Sequence, residues 1–228
     1  MRVLAIDTAL GACSAALFDT DTGRPLAVQS VEMNRGHAEA LLPMIDRVMK
    51  AASVKFDAID RIATTIGPGS FTGLRVGIAA ARGLALACQK PAVGVTTLAA
   101  LTAPHIIDKE AVPVVAAIDA MHGNVYLQMV GAGGRTLIAP RVATLREAIR
   151  AVAIGLVRIV GSGATLLAGN WPSQDTPAPL LVDPRPAPDI TWVARLGAAA
   201  DPERAQPRPL YLRPPDARPQ DANRLLRQ

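Results

Sequence analysis

Two aspartates stand where chemistry is most expected. Asp7 and Asp119 each close a short apolar run, Val3-Leu4-Ala5-Ile6 and Val114-Val115-Ala116-Ala117-Ile118. The carboxyl edge of a buried strand is where α/β proteins hold their ligands. Two facing carboxylates there would hold a hydrated Mg²⁺ against a phosphate; singly, each would cap the turn that follows. A second stretch, Gly67-Pro68-Gly69-Ser70-Phe71-Thr72-Gly73-Leu74-Arg75-Val76-Gly77, joins a β-branched run to an alanine-rich helical pattern. The first turn of such a helix offers unpaired N–H groups to an anion, with the Ser70 and Thr72 hydroxyls beside them. Ser70 as a simple N-cap is the competing reading. The loop is not a Walker motif, for no Gly-Lys-Ser/Thr follows, and Thr72 breaks a G-x-G-x-x-G pattern.

Other chemistries find little support. None of His37, His105 and His122 stands at metal-ligand spacing from another His, Cys or carboxylate pair, and Cys13 and Cys88 make neither a metal pattern nor a disulfide framework. Ser14, Ser70 and Ser162 lack the G-x-S-x-G frame of a nucleophile elbow. No catalytic residue and no metal site is assigned.

The elements that must position these residues follow from periodicity. Strands are expected at 3–7, 14–19 and 26–31, with a turn over 19–23 between the second and third. A helix follows over 38–52, with Pro43 either in its first turn or at a kink. A strand at 62–66 leads through the glycine loop to a helix over 71–87, then a strand at 91–95 and a helix opening at 96. Gly, Pro and charge between 103 and 113 mark a lobe boundary. Strands at 114–119 and 124–130, a turn at 131–134, a helix at 144–153 with Thr144 and Glu147 as a capping box, and a strand at 157–160 continue the chain. Residues 172–188 read as a Pro-rich loop, 190–200 as a last helix. Hairpin-then-βα order occurring twice suggests a duplicated α/β architecture, divided as 1–104, 105–200 and a Pro/Arg tail over 201–228.

Two helices carry surplus apolar surface. Gly73, Gly77 and Ala81 form a smooth stripe that another backbone could approach, with Arg75, Ile78 and Arg82 on the adjoining face. In 38–52, Leu41, Ile45, Val48 and Ala52 can face a core, which leaves Leu42, Met44 and Met49 on other sides. Such an excess suggests a helix-on-helix interface, or else a helix enclosed within the molecule.

Composition sets the outer bounds. Half of the 228 residues are hydrophobic, enough for a globular core, while 3% aromatics leave that core to Ala, Val, Leu and Ile. No signal-peptide pattern opens the chain, and the run over 76–88, interrupted by Arg82, is too short to span a bilayer. A reduced, cytoplasmic protein without a membrane segment is expected. The net charge of +5 is diffuse except in the tail, where Arg204, Arg208, Arg213, Arg218, Arg224 and Arg227 alternate with Pro. A solvated extended tail is the expected reading, because no aromatics interleave to stack on RNA bases.

Taken in order, these pieces resemble one family, TsaB (also called YeaZ). The matching segments are Ile6-Asp7-Thr8, His37-Ala38-Glu39-Ala40-Leu41-Leu42-Pro43-Met44-Ile45, the 67–77 run, Gly94-Val95-Thr96-Thr97-Leu98, Ile118-Asp119-Ala120 with Val125-Tyr126, Gly161-Ser162-Gly163-Ala164 and Pro209-Leu210-Tyr211-Leu212-Arg213. The resemblance implies the ASKHA fold of actin, sugar kinases and Hsp70, with two related α/β lobes. It implies a non-catalytic partner of TsaD, which transfers threonylcarbamoyl to adenosine 37 of tRNA. The ATPase TsaE would engage the pair, and a homodimer would form through the same surface when TsaD is absent. No cofactor of its own is implied; ATP, Mg²⁺ and a metal belong to the partner subunits, and tRNA is reached through the complex.

The expected partner interface is Leu41, Leu42, Met44, Ile45, Met49, Gly73, Leu74, Arg75, Gly77, Ile78, Ala81 and Arg82, and Gly77→Leu is expected to block association in a folded monomer. The H-x-x-x-H metal motif of the catalytic relative has no counterpart after residue 95, where Thr96-Thr97-Leu98-Ala99-Ala100-Leu101 stands. Ala9 replaces the usual Ser, which weakens any phosphate grip; Asp119-Ala120-Met121-His122-Gly123-Asn124 replaces Asp-Ala-Arg-Arg-Gly-Glu, losing two basic residues and an acid, and both departures count against nucleotide or tRNA contact by this lobe. The alternative is an ASKHA nucleotide-dependent transferase or hydrolase acting alone through Asp7, Ser70, Thr72, Asp119, Gly161 and Gly163.

Overall fold

A computed structural model describes residues 1–106, 111–172 and 176–213. The first lobe contains β1 (Arg2–Asp7), β2 (Ala12–Asp19), β3 (Arg24–Glu32), α1 (His37–Ala51), β4 (Arg61–Thr65), α2 (Phe71–Cys88) and β5 (Ala92–Val95), followed by α3 (Thr97–Ile106). The second repeats the order with β6 (Val114–Asp119), β7 (Asn124–Val130), β8 (Thr136–Thr144), α4 (Leu145–Val152), β9 (Arg158–Val160), α5 (Ala164–Gly169) and β10 (Leu181–Asp183), followed by α6 (Ile190–Ala199). The strand orders β3-β2-β1-β4-β5 and β8-β7-β6-β9-β10 are the same. In each sheet the first strand pairs antiparallel with its hairpin partner and parallel with the strand after the crossover helix.

Each sheet buries both faces, and this explains the all-apolar runs of β1, β2 and β6. On the first sheet, α1 lays Leu41, Met44, Ile45, Val48 and Met49 against Leu4, Ile6, Cys13, Ala15 and Leu17. Positions i, i+3, i+4, i+7 and i+8 make a stripe wide enough for a twisted sheet. The opposite face, with Val3, Ala5, Phe18, Ala63 and Val93, receives Ile190, Val193 and Ala194 of α6. On the second sheet, α4 and α5 cover one face, and Leu98 and Leu101 of α3 cover the other, against Val114, Ala116 and Ile118.

The two lobes therefore exchange their last helices. α3 follows the first sheet in sequence but packs on the second; α6 does the reverse. The division at 104/105 and at 200 follows the order of the chain, whereas by packing α3 lies on the second sheet and residues 190–199 on the first. Arg61 holds the exchange in place by donating through Nη1 to the carbonyls of Gly197, Ala198 and Ala200 at 2.9, 2.9 and 2.7 Å, which caps the end of α6.

Corrections are local. β8, α5 and β10 were not expected; β10 lies inside the stretch read as a Pro-rich loop. Pro43 sits within α1, which begins at His37 after a left-handed Gly36 (φ 85°). Thr144 and Glu147 form the capping box. Residues 201–213 are no solvated tail: Gly94 N–H donates to the Ala205 carbonyl at 2.7 Å, Leu210 N–H to Ile66 at 2.7 Å, and Pro207 is buried. Arg218, Arg224 and Arg227 lie outside the described residues. Among the described residues one helix, α2, is long and apolar enough to cross a membrane by length and composition, unlike the shorter run read from sequence; here it packs on β4.

Candidate functional site

The 67–77 run positions α2 through its glycines. A Cβ on Gly73 would collide with the Thr8 carbonyl, and one on Gly77 would lie 2.7 Å from Thr8 Oγ1 and 3.2 Å from Thr64 Oγ1. Thr8 Oγ1 donates to the Gly73 carbonyl at 2.7 Å. The stripe of small residues thus lets α2 seat on the loop after β1 and on β4, not on another molecule. Gly73, Leu74, Gly77, Ile78 and Ala81 are buried within the chain, as are Leu41, Met44, Ile45 and Met49. These nine are removed from the expected interface because their side chains are already spent on this molecule's own core. Gly77→Leu would disrupt the fold before it could report on association.

Leu42, Arg75 and Arg82 remain outward. With them comes a surface that the sequence reading missed. On α2, Val76, Ala79, Gly83 and Leu86 succeed one another at helical spacing on the side away from the sheet; Leu86 is 82% exposed and a Cβ on Gly83 would meet nothing within 4 Å. α1 packs alongside and contributes Leu42, 57% exposed. The result is a low apolar ridge onto which another helix can pack closely. Its signal was in the sequence, roughly opposite on the helical wheel to Gly73, Gly77 and Ala81, once that stripe is assigned inward.

At the start of α2, two aromatics far apart in sequence meet. The Phe71 and Tyr211 rings lie 5.6 Å apart, and the Arg75 guanidinium sits 3.8 Å from the centre of Phe71, with Nε 3.5 Å from the Tyr211 hydroxyl. This cluster ties residues 201–213 to the helix that bears the ridge.

The expected anion and nucleotide residues do not assemble into one grip. Asp7 is fully buried; its Oδ1 accepts from the Ala9 N–H at 2.9 Å and from the Thr65 hydroxyl, while Oδ2 has no hydrogen-bond partner among the described residues. Burial pushes the carboxyl above its ordinary value near 3.8, against the opposing pull of Thr65, Ala9 and His37. Asp119 is exposed and accepts from Met121 N–H at 2.8 Å, the turn-capping role. Ser70 accepts from Gly73 N–H at 3.3 Å as N-cap and gives its own N–H to Ala9. With Thr72 it lines a cleft of about 380 Å³ between the starts of α1 and α2. Gly161 and Gly163 N–H groups donate to the carbonyls of Asp183 and Ala117, and their missing Cβ atoms admit the Ala117 backbone. Backbone donors that are already engaged and one buried carboxylate do not fit a Mg-nucleotide. Among the described residues no group of three or more His, Cys, Asp or Glu is placed to hold a metal ion. His37 Nε2 lies 3.2 Å from the Leu10 carbonyl, a helix-end contact.

Comparison with known proteins agrees with this architecture. Residues 29–157 match the family model described as TsaD: tRNA N6-adenosine threonylcarbamoyltransferase. The tRNA threonylcarbamoyladenosine biosynthesis protein TsaB of Escherichia coli K12 is 40% identical over 126 residues, covering 55% of this chain and 53% of that protein. The chain spans about half the length of the curated relatives it matches. A Pseudomonas aeruginosa crystal structure, described by its similarity to peptidase YeaZ, superposes with a TM-score of 0.76 at 30% identity, over 93% of this chain and 99% of that one. An Arthrobacter polyphosphate/ATP-glucomannokinase shares the fold alone, with a TM-score of 0.50 at 11% identity over 87% of this chain and 98% of that one. The two mixed-sheet lobes thus share the fold of that sugar kinase, and by sequence and structure together the chain belongs to the TsaB/YeaZ family.

Proposed function

We propose that the chain is a non-catalytic scaffold that binds TsaD for the threonylcarbamoylation of tRNA adenosine 37. The observation that carries this reading is the apolar ridge of Leu42, Ala79, Gly83 and Leu86, all exposed, with Val76 half-buried beside them. Small residues at its centre permit close helix approach, and the leucines supply area, each contributing about 1.5–3 kcal/mol when fully covered. Arg75 and Arg82 stand at the rim, where charge steers association. TsaE would engage the assembled pair; ATP, Mg²⁺ and the catalytic metal are assigned to the partner subunits. A homodimer through the same ridge competes with TsaD. The poor fit of Asp7, Asp119, Gly161 and Gly163 to a Mg-nucleotide weighs against an enzyme acting alone.

The test is a Leu42→Asp/Leu86→Asp double variant. It should melt as the parent does and lose at least about tenfold in affinity for TsaD in a pull-down or titration, since two buried leucines exceed the 1.4 kcal/mol that a tenfold change represents. Unchanged association would overturn the assignment. So would Mg-ATP turnover by the lone chain.

A further inference from the structure

Charge on this molecule is not spread as the sequence suggests. Between residues 135 and 150 stand four arginines, Arg135, Arg141, Arg146 and Arg150, against one acid, Glu147: a surplus of three, where the whole chain carries +5. All four arginines are exposed. Among the described residues none of them forms an ion pair. The fold gathers three of them. β8 runs directly into α4 and packs beside it, and Arg141 and Arg150 line a shared cleft of about 460 Å³ between the two elements. Arg146 precedes Arg150 by one turn on the same helix face, about 6 Å along the axis. The one acid, Glu147, lines the same cleft and feels Arg141 and Arg150, but it offsets only one of the charges, and its Oε2 also accepts from the Thr144 N–H at 2.9 Å and from its hydroxyl at 2.8 Å.

We infer that the β8–α4 face is a direct contact for the phosphate backbone of tRNA. Exposed guanidinium groups in excess over the one nearby carboxylate are set to exchange condensed counterions for phosphates, a sequence-independent and salt-dependent contact. The face lies on the second lobe, whereas the ridge of α1 and α2 lies on the first, so one chain can hold a protein partner and an RNA at once. The choice of RNA over another polyanion rests on the proposed role in tRNA modification; the existence of the basic face does not.

The experiment measures binding of a tRNA transcript to the full chain by fluorescence anisotropy over a salt series. An Arg141→Gln/Arg146→Gln/Arg150→Gln variant should bind at least about tenfold more weakly at low salt. Its slope of log affinity against log salt should flatten by about two to three, and Arg146→Gln alone should flatten it by about one. A charge-matched Arg24→Gln/Lys55→Gln/Lys90→Gln control should keep the parent slope. Equal losses in the two triple variants would overturn the assignment, as would parent protein that binds vesicles of acidic lipid but not tRNA. The basic-face variant should still associate with TsaD, and the Leu42→Asp/Leu86→Asp variant should keep its tRNA affinity, so failure of one surface is separable from failure of the other.

Discussion

At the scale of single residues, two pairs show that identity alone does not fix role. Gly77 and Gly83 stand six apart on one helix. A side chain at 77 meets Thr8 Oγ1 at 2.7 Å, whereas one at 83 meets open space. Gly77→Leu should therefore cost about 3 kcal/mol or more through overpacking. Gly83→Leu should hold or slightly raise stability by removing a helix glycine, yet weaken TsaD binding; paired urea melts and pull-downs read both effects. Asp7 and Asp119 occupy equivalent strand ends, but only Asp7 is enclosed. Its folded pKa lies above the unfolded value, so the native state holds the proton more tightly. The Asp7 contribution to stability is then fullest below about pH 4, falls as pH rises through the elevated pKa, and stays lower above it. Asp7→Asn should flatten that decline in urea melts taken from pH 4 to pH 7; an unchanged profile would show that the carboxyl does not titrate there.

Elements gain their meaning from what covers them. The strap over 201–213 reads in sequence as a Pro/Arg tail, yet it satisfies the Gly94 N–H, donates to the Ile66 carbonyl and stacks Tyr211 on Phe71. Truncation after Ala200 should lower the melting temperature by several degrees, the shift expected for a loss of about 1–2 kcal/mol in a chain of this size, whereas unchanged melting would show that the strap adds nothing. α1 was read with too narrow a core stripe. Met44 and Met49 were left outside because Leu41, Ile45, Val48 and Ala52 already made one face, but the first sheet is wide enough to take both methionines, whose flexible side chains fill irregular gaps.

Across the whole molecule, the exchange of α3 and α6 binds the lobes into one folding unit. A fragment of residues 1–104 would keep the first sheet but lose α6, exposing Val3, Ala5, Phe18, Ala63 and Val93. It should aggregate or remain unfolded, seen by circular dichroism and size exclusion. The full chain should unfold in a single transition, with Trp171 of the second lobe and Trp192 on α6 reporting the same midpoint. The two proposed surfaces then sit on a rigid frame, one on each lobe.

The sequence by itself determined what is written in neighbouring residues: the strand–loop–helix of 61–88, the capping box at Thr144 and Glu147, the twofold recurrence of an apolar strand ending in Ile-Asp, and from these the family and the two-lobed fold. Hydrogen-bond caps, turn glycines and periodicity act over a few residues, so they are legible there. Only the tertiary structure decided which stripe of α2 faces inward, which helix covers which sheet, and that Arg141, Arg146 and Arg150 share one face. Each of these depends on which distant surface comes to lie against a given side, and burial is a contest among all apolar faces of the chain at once. Gly73 and Gly77 won the inward place because the Thr8 carbonyl and the Thr8 and Thr64 hydroxyls leave no room for anything larger, and that winning left Gly83 and Leu86 facing out.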